Sequence, residues 1–229
     1  MRFIAKYNWL IPALLFTAAM LAGRMFYTSS LRFFFIPWNL FLAFVPVYFA
    51  YKLNEGVVRG VRAVALFSLW LLFFPNSMYI VTDLFHLKQR QNVPLWYDLL
   101  ILVSAAITGI AMGFASLRQV ERFLSARIEA RFMRWVLRGL FVLCGYGIYI
   151  GRYLRWNSWD IVADPVSLCT DMLHHVIHPY RNKECWAVSL LFGTWMYILY
   201  AYFGRTFRRG EQVDTGTNDA QRAGGIVGL

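Results

Sequence analysis

Hydrophobic residues occur in long, nearly uncharged runs that are separated by short polar segments. Six runs are found, at residues 7–23, 33–51, 63–82, 99–117, 139–150 and 186–204. An α-helix rises about 1.5 Å per residue, so about 20 apolar residues cross a hydrocarbon core of about 30 Å. The runs lack the alternation of apolar and polar residues that is typical of barrel strands. The pattern therefore predicts an all-α, polytopic transmembrane helix bundle with six spans.

The fifth run is shorter than a span, so its helix must extend toward Arg138 and Arg152, whose long side chains can reach the interfaces. The composition supports a membrane protein, since 59% of the residues are hydrophobic and only 15% are charged. We interpret the first run as a retained helix rather than a cleaved signal. Residues 1–204 are predicted to form one transmembrane domain, and the polar, Gly-rich residues 205–229 a flexible cytoplasmic tail.

Basic residues predict the orientation, because loops rich in Lys and Arg resist translocation. With six spans, most of them lie on the side of the two termini, and residues 118–138 are the most basic segment there. Both termini are therefore predicted to be cytoplasmic. The net charge of +11 is explained by this topology and by attraction to anionic lipid. Membrane lipids are the predicted partners, and no nucleic acid is needed.

Residues capable of chemistry gather on the predicted extracytoplasmic side, in segments 75–98 and 152–184. These segments contain all four histidines of the chain, His86, His174, His175 and His178. Cys169 and Cys185 also lie there, and an oxidising compartment would allow them to pair, although spacing alone does not determine whether they do.

Two features inside the spans are interpreted as structural. Gly109 and Gly113 form a GxxxG motif in the fourth span, which permits a close helix contact. Cys144 lies in the middle of the fifth span, where a free cysteine packs as a small apolar residue.

The third span ends in Pro75, Asn76 and Ser77, which predict a broken helix tip because proline removes a backbone donor. Two interpretations stay open. The tip is either a kink capped by its own Asn and Ser, or a non-helical segment that lines a polar cavity beneath the outer surface.

After this tip, Thr82 is predicted to cap a short helix that places Asp83 and His86 on one face. Such a pair can bind a metal, or the carboxylate can orient the imidazole for proton transfer. Asp83, His86 and Asp160 are therefore the candidate catalytic residues.

The fifth span ends in Arg152 and Arg155, three residues apart, where they are predicted to project from adjacent helix positions. Guanidinium groups bind phosphate or carboxylate through two hydrogen bonds. The alternative is that they anchor the helix at the interface or pair with Asp83 or Asp160. The candidate ligand-binding residues are Asn76, Arg152, Arg155 and Asn157.

Residues 168–178 predict a short amphipathic helix in the last outer loop, which Pro179 ends. Its polar stripe contains Asp171, His174, His175 and His178. One interpretation places the helix on the outer membrane surface, with its apolar side in lipid and its histidines in water. The other is a metal site, since His174 and His178 have the i, i+4 spacing and either Asp171 or His86 could be a third ligand.

Three segments resemble a known family. They are FPNSMYIVTDLFHL at 74–87, PLWYD at 94–98 and GRYLRWNSWD at 151–160. They resemble the bacterial membrane family known as domain of unknown function 1361, over roughly residues 30–205 of this chain. The resemblance implies an integral protein of the bacterial cytoplasmic (inner) membrane and supports the segments chosen above. It implies no particular activity or cofactor.

Three classes of function remain open: an enzyme acting on a lipid-linked or envelope substrate, a small-solute or ion transporter, and a structural or assembly subunit. Ion pathways commonly have a charged residue near the centre of a span, and none of the six runs has one there. No triad, pair of catalytic carboxylates or complete metal motif is present either. The sequence favours a polar site at the extracytoplasmic interface that binds an anionic lipid or a lipid-linked ligand. A homo-oligomer or a membrane-protein partner is an open alternative.

Overall fold

The computed structural model describes the backbone of residues 6–89 and 93–224, and the side chains of residues 6–89 and 93–203. Within these ranges the chain is helical, with no strand. Six of its helices are long and apolar enough to cross a membrane, which confirms the predicted all-α polytopic bundle.

Eight α-helices follow one another within the described ranges. They are α1 Ile11–Thr28, α2 Phe35–Leu53, α3 Gly60–Tyr79, α4 Leu95–Ser125, α5 Ala130–Tyr149, α6 Asp160–Ala163, α7 Pro165–Ile177 and α8 Lys183–Gly224. A 3₁₀ helix, Ile80–His86, continues α3, and a π-helical turn, Ile150–Leu154, continues α5. The fifth span thus extends past Arg138 and Arg152, as its short apolar run required.

One end of the bundle carries the four histidines. At this end α1, α3 and α5 finish and α2, α4 and α8 begin, and we call it the histidine end. At the other end, the backbone of α8 is helical to Gly224. The side chains of the predicted tail, 205–229, lie outside the described residues, and its flexibility stays a prediction.

Three of the largest fully buried side chains, Trp70, Phe74 and Phe141, belong to one cluster formed mainly by α3, α4, α5 and α8. Trp70 and Phe74 of α3 have ring centroids 4.8 Å apart, and Phe141 of α5 packs edge-on against Phe74. The indole of Trp70 donates a hydrogen bond to Ser116 Oγ, 3.2 Å away, so its polar atom is satisfied inside the core. Cys144 belongs to the same cluster, which confirms its predicted packing role.

Glycines bring these helices into close contact. A Cβ atom at Gly109 or Gly113 would lie 2.9 Å from an atom of Ser77, so the GxxxG motif packs α4 against α3 of the same chain. A Cβ atom at Gly193 of α8 would lie 2.7 Å from the carbonyl oxygen of Phe141 in α5. The predicted close contact at the GxxxG motif is confirmed, and only a residue without a side chain fits at these positions.

A buried ion pair joins the end of α1 to the start of α4. Arg24 Nε donates to Asp98 Oδ1 at 2.7 Å and Arg24 Nη2 donates to Asp98 Oδ2 at 3.2 Å. Both side chains are only 2% exposed, and the guanidinium carbon lies 4.2 Å from the ring centroid of Phe33. Asp98, the last residue of the PLWYD segment, thus has a structural partner that the sequence did not indicate.

Candidate functional site

A cavity of about 730 Å³ lies at the histidine end, between α2, α3 and α5. Each of these helices lines it with residues spaced three or four apart, which lie on one helix face. The stripe of α3 consists of Ser68, Leu71, Leu72, Pro75, Asn76 and Tyr79. The segment that follows α5 closes another side of the cavity.

The predicted break at Pro75 is wrong, because α3 continues as a regular helix to Tyr79 and only then tightens into the 3₁₀ helix. Gly147 of α5 leaves room for the proline ring, since a Cβ there would lie 3.0 Å from the ring. Asn76 Nδ2 donates to the carbonyl of Phe73 at 3.2 Å and to Ser158 Oγ at 2.9 Å. The polar tip therefore lines a cavity, as one interpretation expected, but it does so as a helix.

Thr82 does not cap a helix, because the 3₁₀ helix has already begun at Ile80; its hydroxyl donates to the carbonyl of Tyr79 at 2.7 Å. Asp83 and His86 do share one face, as predicted. His86 Nδ1 lies 4.0 Å from Asp83 Oδ1, and both residues line the cavity.

Asp83 is the point at which three spans meet. Asn39 of α2 donates from Nδ2 to Asp83 Oδ2 at 2.7 Å, and Arg152 Nη1 lies 3.7 Å from Asp83 Oδ1. The carboxylate side chain is only 3% exposed, whereas that of Arg152 is 15% exposed. The buried charge is thus compensated by one cation and one amide, as a carboxylate at this depth requires.

Arg152 is positioned by the π-helical turn. Its Nη1 donates to the hydroxyl of Tyr79 at 3.3 Å, its Nη2 donates to the carbonyl of Thr82, and Nη2 lies 3.2 Å from His86 Nδ1. Its Nε–H has no acceptor among the described residues. The predicted pairing with Asp83 is therefore realised, and the guanidinium keeps donors, Nε–H among them, that no described residue accepts.

Arg155 does not share a helix face with Arg152, which contradicts the predicted adjacent pair. The π-helical turn ends at Leu154, and Arg155 takes a left-handed conformation with φ of 63°. Its side chain is exposed, and the cavity lining includes Asn76, Arg152 and Asn157 but not Arg155.

Asp160 lies outside the lining as well. Its Oδ2 accepts a hydrogen bond from the backbone N–H of Asn157 at 2.6 Å, so the carboxylate holds a turn. Ser158, which follows Asn157, reaches into the bundle, where its hydroxyl lies 3.5 Å from the carbonyl oxygen of Leu72. Leu72 lies about 10 Å below Tyr79 along α3, so this irregular segment lies between the spans. At membrane depth such backbone is tolerated where it lines a cavity.

The predicted amphipathic helix is present as α7, and its His174 and His178 are exposed as the surface-helix interpretation expected, but His175 is buried. His175 is only 5% exposed, and its Nδ1 lies 3.1 Å from the hydroxyl of Tyr146 in α5. Asp171 accepts a hydrogen bond from the indole of Trp156 at 2.9 Å. The apolar side faces outward, with exposed fractions of 59–74% for its aliphatic residues Val166, Leu173, Val176 and Ile177.

This burial perturbs the titration of one histidine. Loss of solvent lowers the pKa of His175; the Asp171 carboxylate opposes this change and His174 adds to it. His175 therefore stays neutral to a lower pH than an imidazole with the ordinary pKa would.

The predicted metal ligands are not brought together. The rings of His174 and His178 have centroids 5.1 Å apart, but Asp171 is bonded to Trp156. In the part of the chain that the structure describes, no three His, Cys, Asp or Glu residues lie close enough to hold a metal ion. Cys169 and Cys185 are both free thiols, the first exposed and the second buried.

Asn39 is the site residue that the sequence analysis missed. It is a lone amide within the apolar run 33–51, where a polar group needs a partner inside the bundle. That signal was present in the sequence, but the identity of its partner, Asp83, depends on how α2 and α3 pack.

The family model described as protein of unknown function (DUF1361) matches residues 38–199. Neither a curated protein nor a solved structure matches the chain. The matched segment contains Asn39, Asp83 and Arg152 and most of the cavity lining. Since it also covers well over half of the chain, this multi-pass integral membrane protein belongs to the DUF1361 family.

Proposed function

We propose that the cavity binds an anionic lipid or a lipid-linked ligand at the extracytoplasmic interface, and that Arg152 holds its anionic head group. One observation carries the proposal. The guanidinium of Arg152 lines a largely aliphatic and aromatic cavity while its Nε–H has no acceptor among the described residues. A phosphate oxygen is a fitting acceptor, because guanidinium groups bind phosphates through charge-assisted hydrogen bonds.

The neighbours of Arg152 prepare it for this role. Asp83 and the carbonyl of Thr82 fix the side chain from the buried side, so little conformational entropy is lost when a ligand binds. Asn76 and Asn157 line the same cavity and supply further amide donors.

The orientation belongs to the same proposal. Most Lys and Arg residues lie at the end of the bundle opposite the histidine end, with residues 118–138 as the densest group. The positive-inside rule then places the histidine end outside the cytoplasm and both termini inside it. For a bacterial cell, this is the outer leaflet of the cytoplasmic membrane.

If the ligand is also processed, Asp83 and His86 are the groups placed for proton transfer, since both line the cavity next to Arg152. Asp160 instead holds the turn that contains Asn157. A binding role needs only Arg152 and the amides, and it is the simpler function for this geometry.

The test is a titration of the purified protein with phosphatidylglycerol and with phosphatidylcholine of the same acyl chains, followed by native mass spectrometry. The double substitution Asp83→Asn/Arg152→Gln removes both charges and leaves hydrogen-bonding groups in place. Loss of a charge-assisted bond of about 1.5–3 kcal/mol weakens phosphatidylglycerol binding by roughly 10- to 100-fold.

The matched control is Arg134→Gln, which removes an exposed arginine from the opposite end of the same helix. It should leave both affinities unchanged. Equal phosphatidylglycerol affinity in the double variant and the wild type would refute the proposal, as would a wild-type protein that binds the two lipids equally well.

A further inference from the structure

The charged groups of the cavity are confined to one end. Asp83, His86 and Arg152 lie at the histidine end, whereas further down α3 contributes Ser68, Leu71 and Leu72. At 1.5 Å per residue, the stretch from Ser68 to Tyr79 spans about 16 Å. The cavity is therefore amphipathic along its length, with a charged end and a long uncharged cleft.

The cleft runs between α3 and α5. Gly147 lies against Pro75, and Gly151, four residues later, lies against Tyr79, four residues after Pro75. The two helices therefore run parallel and side by side along this stretch. Leu143, four residues before Gly147, lies at the level of Leu71.

The rim of the cavity lies on the lateral surface of the bundle. Trp38, Leu143 and Trp159 line the cavity and are nevertheless 44–50% exposed. Trp38 and Leu143 belong to spans α2 and α5, where an exposed apolar side chain faces lipid. The cavity is consequently open toward the hydrocarbon region.

The part of the wall that α7 forms is held in place by hydrogen bonds. Leu168 and Met172 of α7 line the cavity, and α7 is held to the bundle by the bonds from Trp156 to Asp171 and between Tyr146 and His175. A ligand entering through α7 would have to break both hydrogen bonds, whereas the side chains of Trp38, Leu143 and Trp159 form no hydrogen bond with the described residues.

We infer that the ligand enters sideways from the bilayer, with its hydrocarbon chain in the cleft between α3 and α5 and its anionic head at Arg152. This inference rests on the proposed function. It requires the ligand to be bound with its hydrocarbon chain still linked to the anionic head group. The chain replaces bilayer contacts by contacts with Ser68, Leu72 and Leu143.

The first experiment uses wild-type protein in nanodiscs that contain phosphatidylglycerol with a photoactivatable diazirine halfway along one chain. Crosslinks should concentrate on peptides containing 68–72 and 143, and an excess of unlabelled phosphatidylglycerol should suppress them. Crosslinks spread evenly over the lipid-facing helices, or unaffected by competitor, would overturn the inference.

The second experiment fills the cleft with Ser68→Trp and uses Leu191→Trp, an exposed site on α8, as the matched control. The cleft variant should bind phosphatidylglycerol at least about tenfold more weakly, because the buried chain segment is displaced. The control should bind as the wild type does.

The two proposals fail differently. Loss of binding in Asp83→Asn/Arg152→Gln together with normal binding in Ser68→Trp would overturn the chain cleft and leave the head-group site standing. Normal binding in the charge variant would remove the head-group site itself, and the cleft inference with it.

Discussion

Asp98→Leu tests the buried ion pair that joins α1 to α4. The substitution leaves the guanidinium of Arg24 without its carboxylate at a position where both side chains are only 2% exposed. Removing one partner of a buried pair costs about 3–5 kcal/mol, because the remaining charge is uncompensated. For a chain of this size, each kcal/mol lowers Tm by about 2–4 °C, so a decrease of roughly 10 °C is expected.

Thermal unfolding in detergent, followed by tryptophan fluorescence, measures this effect. The double variant Arg24→Met/Asp98→Leu replaces the pair by apolar groups and should recover most of the lost Tm. The control Glu129→Leu removes an exposed carboxylate and should change the free energy of unfolding by less than about 0.5 kcal/mol. A double variant that is as unstable as Asp98→Leu would refute the reasoning, because the loss would then not come from an unpaired charge.

Three further predictions concern packing, titration and access. Gly193→Ala should destabilise the protein by about 1–3 kcal/mol in thermal unfolding because its Cβ overlaps α5, whereas Gly139→Ala, with nothing within 4 Å, should stabilise it by about 0.5–1 kcal/mol. Because the pKa of His175 is lowered, the unfolded chain binds a proton first, so the free energy of unfolding should fall as pH decreases below about 6.5; His175→Asn should lose this dependence and His178→Asn keep it. Cys169 should react with a membrane-impermeant maleimide added outside intact cells, while absence of labelling there would contradict the proposed orientation.

The spans could be predicted from the sequence because membrane crossing imposes a length and a polarity on each segment separately. The prediction was confirmed even for the fifth span, whose short apolar run was expected to continue as a helix into Arg138 and Arg152. Asp83 and His86 were placed correctly on one face for a similar reason, as their three-residue spacing is local.

Other features depend on how segments pack and could not be predicted. The segment around Arg152 has the spacing of a regular helix, and nothing in it indicates the π-helical turn that separates Arg155 from it. For α7, amphipathicity shows that two faces differ but not which of them contacts the bundle. Asp171 and His175 found partners in Trp156 and Tyr146, and that choice directed the apolar face outward.

The outward apolar face of α7 has a practical consequence for handling the protein. A detergent belt that covers only the six spans would leave Leu173, Val176 and Ile177 in contact with water. Molecules solubilised in small micelles would then associate through this helix, whereas a larger micelle or a nanodisc would shield it. Size-exclusion profiles should accordingly show more associated protein in small micelles than in large micelles or nanodiscs.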